Sequence, residues 1–212
     1  MKKILNILLL ILTLSASIAL GVYFAYDYFN DNLKGLNLTI TRNNDNGFID
    51  FEETHNAVMN ICDTANNTHI SMIPIDSVVD MLNAMPWVMD VDANINLKTY
   101  LDVEIVECDP VMRIYNKKGE SVYLDNDGNI FPIRDNYVPH LLVGSGNVNF
   151  SINDLGNVND SIYMKTELPG LYMIMKEVIA DNYARNCVKQ VFVDKKKNYI
   201  FSLNSTDIIV IF

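Results

Sequence analysis

The chain has 212 residues, which is enough for one large domain or two small ones. Half of the residues are hydrophobic and a fifth are charged, which excludes a disordered or low-complexity chain. Acidic residues outnumber basic residues by 26 to 16, and the resulting net charge of -10 argues against binding to a nucleic-acid backbone.

The N-terminal segment predicts a membrane anchor. Residues 4–26 contain no charged side chain, and a helix of that length rises about 34 Å, enough to cross a hydrocarbon core of about 30 Å. Lys2 and Lys3 precede the segment, so the positive-inside rule predicts that residues 1–3 stay in the cytoplasm and that the bulk of the chain is exported. The predicted exit is rich in aromatic residues, as is typical of the membrane–water interface: Tyr23, Phe24, Tyr26, Tyr28 and Phe29.

A cleaved signal peptide is the competing interpretation of the same segment, because it also begins with basic residues and continues with an apolar stretch. Acceptable cleavage sequences of small residues occur at 15–17 and 17–19. The apolar run continues past both, and the aromatic residues at its end make sense only if they are retained. We therefore favour an uncleaved anchor.

Residues 36–109 predict a small α+β domain. Alternation of apolar and polar residues with a period of two indicates strands, whereas apolar residues three or four apart, such as Val58 and Cys62, indicate helices. The predicted elements are a strand at 36–42, helices at 51–63 and from Ile75 to a stop at Pro86, and strands at 91–95 and 101–105 joined as a hairpin through 97–99.

Residues 110–212 predict a mostly β domain with one long helix. The dipeptide Asp127-Gly128 is a strong signal for a tight turn between two strands. The predicted elements are strands at 111–115, 121–124 and 130–133, a loop at 144–159, a helix at 168–184, and strands at 188–194, 199–203 and 208–212.

The sequence offers no pattern for catalysis or for a cofactor. The three histidines are scattered without metal-ligand spacing, and there is no nucleophile elbow, Walker loop or dinucleotide-binding glycine pattern. Three widely spaced cysteines, Cys62, Cys108 and Cys187, form an odd set, which leaves either free thiols or one disulfide and one free thiol. We predict a non-enzyme without a small-molecule substrate, cofactor or metal.

One segment, residues 43–53, is similar to the second half of a calcium-binding EF-hand loop. With Gly47 at the sixth loop position, Glu53 falls on the bidentate position. The first ligand position is then occupied by Arg42, a cation where calcium needs an oxygen. A turn followed by the acid-rich start of a helix explains the same residues. A membrane-anchored calcium-binding protein stays an alternative.

Motifs spread over residues 73–146 follow a specific order. An Ile-Asp pair begins a helix, Pro-Trp-Val ends it, and a strand pair leads to a Glu three residues before a Pro. A Leu-Asp pair with a following Gly and Phe comes next. The residues that carry these motifs are Asp76, Pro86, Trp87, Glu107, Pro110, Asp125, Gly128 and Phe131. In this order the motifs resemble the FtsQ/DivIB family of bacterial cell-division proteins, in its Bacteroidetes-like form. Each motif residue also has a plain structural explanation, since Trp87 fits a core position and Asp76 fits the first turn of a helix.

The resemblance implies a single-pass protein of the cell inner membrane, with a cytoplasmic tail (1–3), a transmembrane helix (4–26), a POTRA domain (36–109) and a periplasmic β domain (110–212). It implies a non-enzymatic divisome scaffold that links periplasmic division partners to septal peptidoglycan synthesis. The implied partners are membrane proteins of the FtsB and FtsL type, together with membrane lipid and without nucleic acid. A POTRA-bearing membrane chaperone or secretion accessory is the alternative, but no repeated POTRA unit is visible.

In the family, coiled-coil partners add a strand to the edge of the last strand of the β domain. The present sequence ends before a counterpart of the family's last helix and strand. We expect either that it is short at the C-terminus or that the strand at 208–212 serves as the exposed edge. The partner-binding candidates are therefore Ile208, Ile209, Val210, Ile211 and Phe212.

Overall fold

The computed structural model describes residues 2–43, 47–63, 69–134, 137–203 and 209–211. It has a mixed α+β fold with a long apolar N-terminal helix and a mostly β domain, which confirms the predicted fold class. The helices are α1 (Lys2–Phe29), α2 (Phe51–Asp63), α3 (Ile75–Asn83), α4 (Leu168–Ala180) and α5 (Asn182–Cys187). The strands are β1 (Gly35–Thr41), β2 (Val88–Ile95), β3 (Tyr100–Glu107), β4 (Met112–Tyr115), β5 (Ser121–Leu124), β6 (Ile130–Pro132), β7 (Leu142–Gly146), β8 (Val188–Val193), β9 (Tyr199–Leu203) and β10 (Ile209–Ile211).

The chain forms two compact units, and each contains more than one segment of the sequence. The first unit comprises Met1–Ile40, Asp50–Ala84 and Asp90–Ile105. The second unit comprises Thr41–Ile49, Met85–Met89 and Val106–Phe212.

The first unit contains the apolar helix and a three-stranded sheet. Among the described residues, one helix, Lys3–Phe29, is long and apolar enough to cross a membrane. The sheet has the order β1-β3-β2, and helices α2 and α3 come between β1 and β2 in the chain. Alternate residues of β3 are fully buried, whereas Glu104 is exposed, so the period-two pattern corresponds to a sheet with one covered face. The buried residues of this unit include Val58, Val78, Leu82, Leu101, Val103 and Ile105.

The second unit is built on a seven-stranded mixed sheet with the order β10-β9-β8-β7-β4-β5-β6. The central pairs β4–β7 and β7–β8 are parallel, and the outer pairs are antiparallel. Helices α4 and α5 form the crossover between β7 and β8, as a parallel pair requires. The apolar face of α4 covers the central strands, with Leu171 and Met175 fully buried in the main core.

Two predictions for the second unit are wrong in detail. Residues 144–146, predicted as loop, belong to β7 in the centre of the sheet, because parallel partners on both sides supply its hydrogen bonds. Gly144 allows the helix to pack closely, since a Cβ there would lie 2.8 Å from Met175 Sδ. The helix predicted at 168–184 ends at Ala180. Asp181 has an extended backbone and caps α5 by accepting hydrogen bonds from the N–H groups of Tyr183 and Ala184, each 2.8 Å long.

Four antiparallel hairpins share one turn construction. In each, the side-chain oxygen of Asn or Asp accepts hydrogen bonds from the N–H groups two and four residues later. The residue three positions after that Asn or Asp has a positive φ. The turns begin at Asn96, Asn116, Asp125 and Asp194, and their positive-φ residues are Thr99, Gly119, Gly128 and Lys197. The side-chain oxygen takes the place of a backbone carbonyl as the hydrogen-bond acceptor, and all the groups involved lie within five consecutive residues. Each turn therefore depends on the local sequence.

Candidate functional site

The outer edge of the seven-stranded sheet is the candidate partner-binding surface. Strand β10 pairs antiparallel with β9 on one side only, with Val210 opposite Phe201 and Ile211 opposite Ile200. It is the terminal strand at this end of the sheet among the strands that the structure describes. An outer strand presents backbone N–H and C=O groups that can pair with a further strand.

The structure describes part of the predicted partner-binding set. Ile209, Val210 and Ile211 form the whole of β10, whereas Ile208 and Phe212 lie outside the described residues. Strand β9 connects this edge to the core, since Phe201 packs against the main hydrophobic cluster of the unit. The edge therefore belongs to the same sheet that α4 covers.

Glu107 is the centre of a buried polar contact in the second unit. Its side chain is 2% exposed, and its carboxylate accepts hydrogen bonds from the N–H groups of Phe48 and, over 3.2 Å, Ile49. Arg42 Nε lies 3.4 Å from its Oε2. Gly47 leaves room for the carboxylate, because a Cβ there would collide with both carboxylate oxygens. The carboxylate thus ties the segment 42–49 to the end of β3.

An aromatic cluster lies next to this contact. Phe48 packs edge to face against Phe131, with ring centroids 6.0 Å apart, and also contacts fully buried Tyr123. Burial raises the pKa of Tyr123 above its usual range. Trp87 packs against the same cluster and donates a hydrogen bond of 2.9 Å from Nε1 to the Pro132 carbonyl. The Arg134 guanidinium lies 4.8 Å from the centre of the Trp87 ring.

The structure brings three of the predicted motif residues together and separates the others. Trp87, Glu107 and Phe131 belong to the contact and cluster just described. Asp125 and Gly128 share the turn between β5 and β6, where Asp125 Oδ1 accepts from two N–H groups at 2.9 Å. The remaining three have separate positions: Asp76 in the first turn of α3, Pro86 in the turn before β2, and Pro110 buried before β4.

Sequence reasoning missed the partners of Glu107. It considered Arg42 and Gly47 only as positions of a calcium loop, whereas the structure uses both to accommodate the carboxylate. A charge pair between residues 42 and 107 has no local sequence signal. The carboxylate of Asp50 accepts a 2.8 Å hydrogen bond from Glu53 N–H, which is a helix-start contact, and residues 44–46 lie outside the described part of the chain.

The described residues contain no group of three or more His, Cys, Asp or Glu side chains that could hold a metal ion. Cys62 is buried, and Cys108 and Cys187 are free thiols. Burial, together with the nearby carboxylates of Asp125 and Glu107, raises the pKa of Cys108 to about 11. This thiol stays protonated at neutral pH, which is unsuited to nucleophilic or metal-binding chemistry.

Comparison with protein-family models gives a match for the second unit. The sequence model of a family described as "FtsQ/DivIB, C-terminal related" matches residues 109–212. The matched region contains every strand from β4 to β10 and both helices of the crossover. No curated protein matches the chain significantly.

Proposed function

Because this chain belongs to the FtsQ/DivIB family, we propose that it is a divisome scaffold that links periplasmic division partners to septal peptidoglycan synthesis. The family consists of non-catalytic cell-division proteins, and the matched domain supports a role in cell division. The observation that carries the proposal is the family match over residues 109–212, the region that forms the seven-stranded sheet.

The proposed location is the cell inner membrane, with residues 1–3 in the cytoplasm and the bulk of the chain in the periplasm. The proposed domains are a POTRA domain at 36–109 and a β domain at 110–212. Two observations support a retained anchor: α1 is long enough to span the bilayer, and Tyr28 in its last turn donates a 3.0 Å hydrogen bond to the Asn96 carbonyl. A helix end that is bonded into the folded unit is suited to an anchor that is not removed.

Partner binding is proposed at β10. Coiled-coil membrane proteins of the FtsB and FtsL type would add a strand along this edge, where the outward backbone groups of β10 supply hydrogen bonds. The apolar composition of Ile209, Val210 and Ile211 favours a strand that is covered by a partner.

Depletion in the organism that encodes the protein tests the proposed role. Loss of a divisome scaffold should give elongated cells without septa, and a fluorescently tagged chain should gather at midcell. Normal septation after depletion, together with a tag dispersed around the membrane, would contradict the proposal.

Photo-crosslinking tests the proposed edge. A photo-crosslinking amino acid at Ile211 should capture a membrane partner in dividing cells, whereas the same amino acid at Met173, 67% exposed on α4, serves as the control. Equal capture at the two positions, or capture only at Met173, would exclude β10 as the binding edge.

A further inference from the structure

The turn between β2 and β3 carries an unusually exposed apolar side chain. Leu97 is 91% exposed, the largest value among the exposed large hydrophobic residues of the described chain. Its neighbour Lys98 is also exposed. A single exposed leucine is ordinary on a protein surface, so its significance depends on where the turn lies relative to α1.

The turn is bonded to the end of the apolar helix. Tyr28 Oη, in the last turn of α1, donates to the carbonyls of Asn96, at 3.0 Å, and Ile95, at 3.4 Å. The N–H of Lys34 donates a 2.9 Å hydrogen bond to the Thr99 carbonyl. One end of the turn is therefore joined to the last turn of α1, and the other end to the segment that follows this helix.

The position of Leu97 is also fixed within the turn. Asn96 Oδ1 accepts hydrogen bonds from the N–H groups of Lys98, at 2.9 Å, and Tyr100, at 3.2 Å. The Asn96 amide in turn donates to both carboxylate oxygens of Asp102 at 3.0 Å. Leu97 is held at the tip of a short loop next to α1, whose backbone is hydrogen-bonded to Asn96, Tyr28 and Lys34.

Helix geometry gives the depth of this turn in the membrane. The uncharged segment ends at Tyr26, and Tyr28 is two residues further, a rise of about 3 Å. The headgroup region adds roughly 5 to 8 Å beyond the hydrocarbon core on each side. A turn that is hydrogen-bonded to the Tyr28 hydroxyl consequently lies in the headgroup layer.

A second part of the first unit is bonded to the same region. The Ile70 N–H donates a 2.9 Å hydrogen bond to the Asp31 carbonyl, and Met72, in the same short 3₁₀ helix, is 64% exposed.

Lysine side chains lie close to these exposed apolar side chains. Lys98 is exposed in the turn, and Lys34 pairs with Asp31 at 3.3 Å. Apolar side chains with adjacent lysines are suited to a lipid interface, where lysine reaches the phosphates.

We propose that the β2–β3 turn is a second membrane contact, in which Leu97 enters the lipid layer at the boundary of the hydrocarbon core and Lys98 meets the headgroup phosphates. Together with α1 this contact sets the orientation of the first unit on the membrane surface. The inference rests on the proposed anchor, because α1 must span the bilayer for the turn to reach the lipid.

Fluorescence quenching by brominated lipids tests this contact. The full chain is reconstituted into vesicles of phosphatidylethanolamine and phosphatidylglycerol with bromines on the upper acyl chain. Leu97→Trp is compared with Met89→Trp, and the emission of the unsubstituted chain, from Trp87 alone, is subtracted. Met89 is the matched control, since it is an exposed apolar residue near the opposite end of β2, roughly 20 Å along a strand that rises about 3.3 Å per residue.

The expected result is a loss of emission and a blue shift for Leu97→Trp, and neither for Met89→Trp. Extraction with alkaline carbonate identifies the cause of a negative result. Integrated chains whose Leu97→Trp emission is not quenched would refute the lipid contact and leave the proposed anchor intact. Chains that carbonate removes from the vesicles would overturn the anchor and the inference together.

Discussion

Glu107 offers the most direct test of how the second unit is held together. Replacing it by alanine removes the acceptor of the Phe48 and Ile49 N–H groups and the partner of Arg42. A buried donor left without an acceptor costs about 1–3 kcal/mol, and breaking a buried ion pair costs about 3–5 kcal/mol. The two costs are not additive, because both follow from the loss of the same carboxylate. The Arg42 side chain is 22% exposed, so water can partly solvate it after the substitution. We therefore expect Glu107→Ala to lower the free energy of unfolding by about 3–5 kcal/mol.

Urea denaturation followed by tryptophan emission measures this change. Trp87 is the only tryptophan and lies in the second unit, where its ring contacts Arg134, so its emission reports the unfolding of that unit. Glu177→Ala is the matched control, because Glu177 lies in the same unit, on α4, and is exposed. Its substitution should change the free energy of unfolding by no more than about 0.5 kcal/mol.

A double-mutant cycle separates the ion pair from the backbone contacts. Arg42→Met alone should cost less than Glu107→Ala, since the carboxylate keeps two N–H donors, and the coupling between the two changes should be about 0.5–3 kcal/mol. If Glu107→Ala unfolds at the same urea concentration as Glu177→Ala, the carboxylate does not hold the 42–49 segment and the reasoning is refuted.

Two further predictions concern the core and the thiols. Gly144→Ala should lower the free energy of unfolding by about 1–3 kcal/mol through overpacking against Leu171 and Met175, measured by the same emission, and an unchanged midpoint would contradict the close packing of α4. Cys108 should react with iodoacetamide at pH 8 about a hundredfold more slowly in the folded chain than in urea, because raising its pKa from 9.0 to about 11 lowers the thiolate fraction by that factor. Its rate should rise as the pH approaches 11, and equal rates in the folded and unfolded chain would count against this environment.

Elements with a strong local signal were predicted well. Helix α2 and strand β5 have the predicted bounds, and the predicted strand at 199–203 coincides with β9. The resemblance to FtsQ/DivIB is confirmed by the family match. The prediction was wrong for β7, because glycine-rich residues next to an Asn-rich stretch are typical of a loop, and only the neighbouring strands β4 and β8 give them a sheet environment.

The candidate partner-binding surface likewise combines a feature that the sequence predicts with a feature that only the folded sheet supplies. The continuous apolar, β-branched run at 208–212 indicates a strand, but its place at the end of a seven-stranded sheet depends on the pairing of β9 with β8 and of β8 with β7. Likewise, Glu107 was selected by its motif, whereas its contacts with Phe48 and Arg42 join residues about sixty positions apart. No local pattern encodes such contacts.

By itself, the sequence determined the apolar helix, the periodicity of most strands and the hairpin turns. These depend on interactions within a few residues: an uncharged segment long enough for a bilayer, and an Asn or Asp oxygen that satisfies N–H groups two and four positions ahead. Only the tertiary structure decided that β7 is central, that β10 is outermost and that Glu107 faces Arg42. The free energy of those arrangements comes from burial and hydrogen bonds between distant segments, which exist only once the chain has folded.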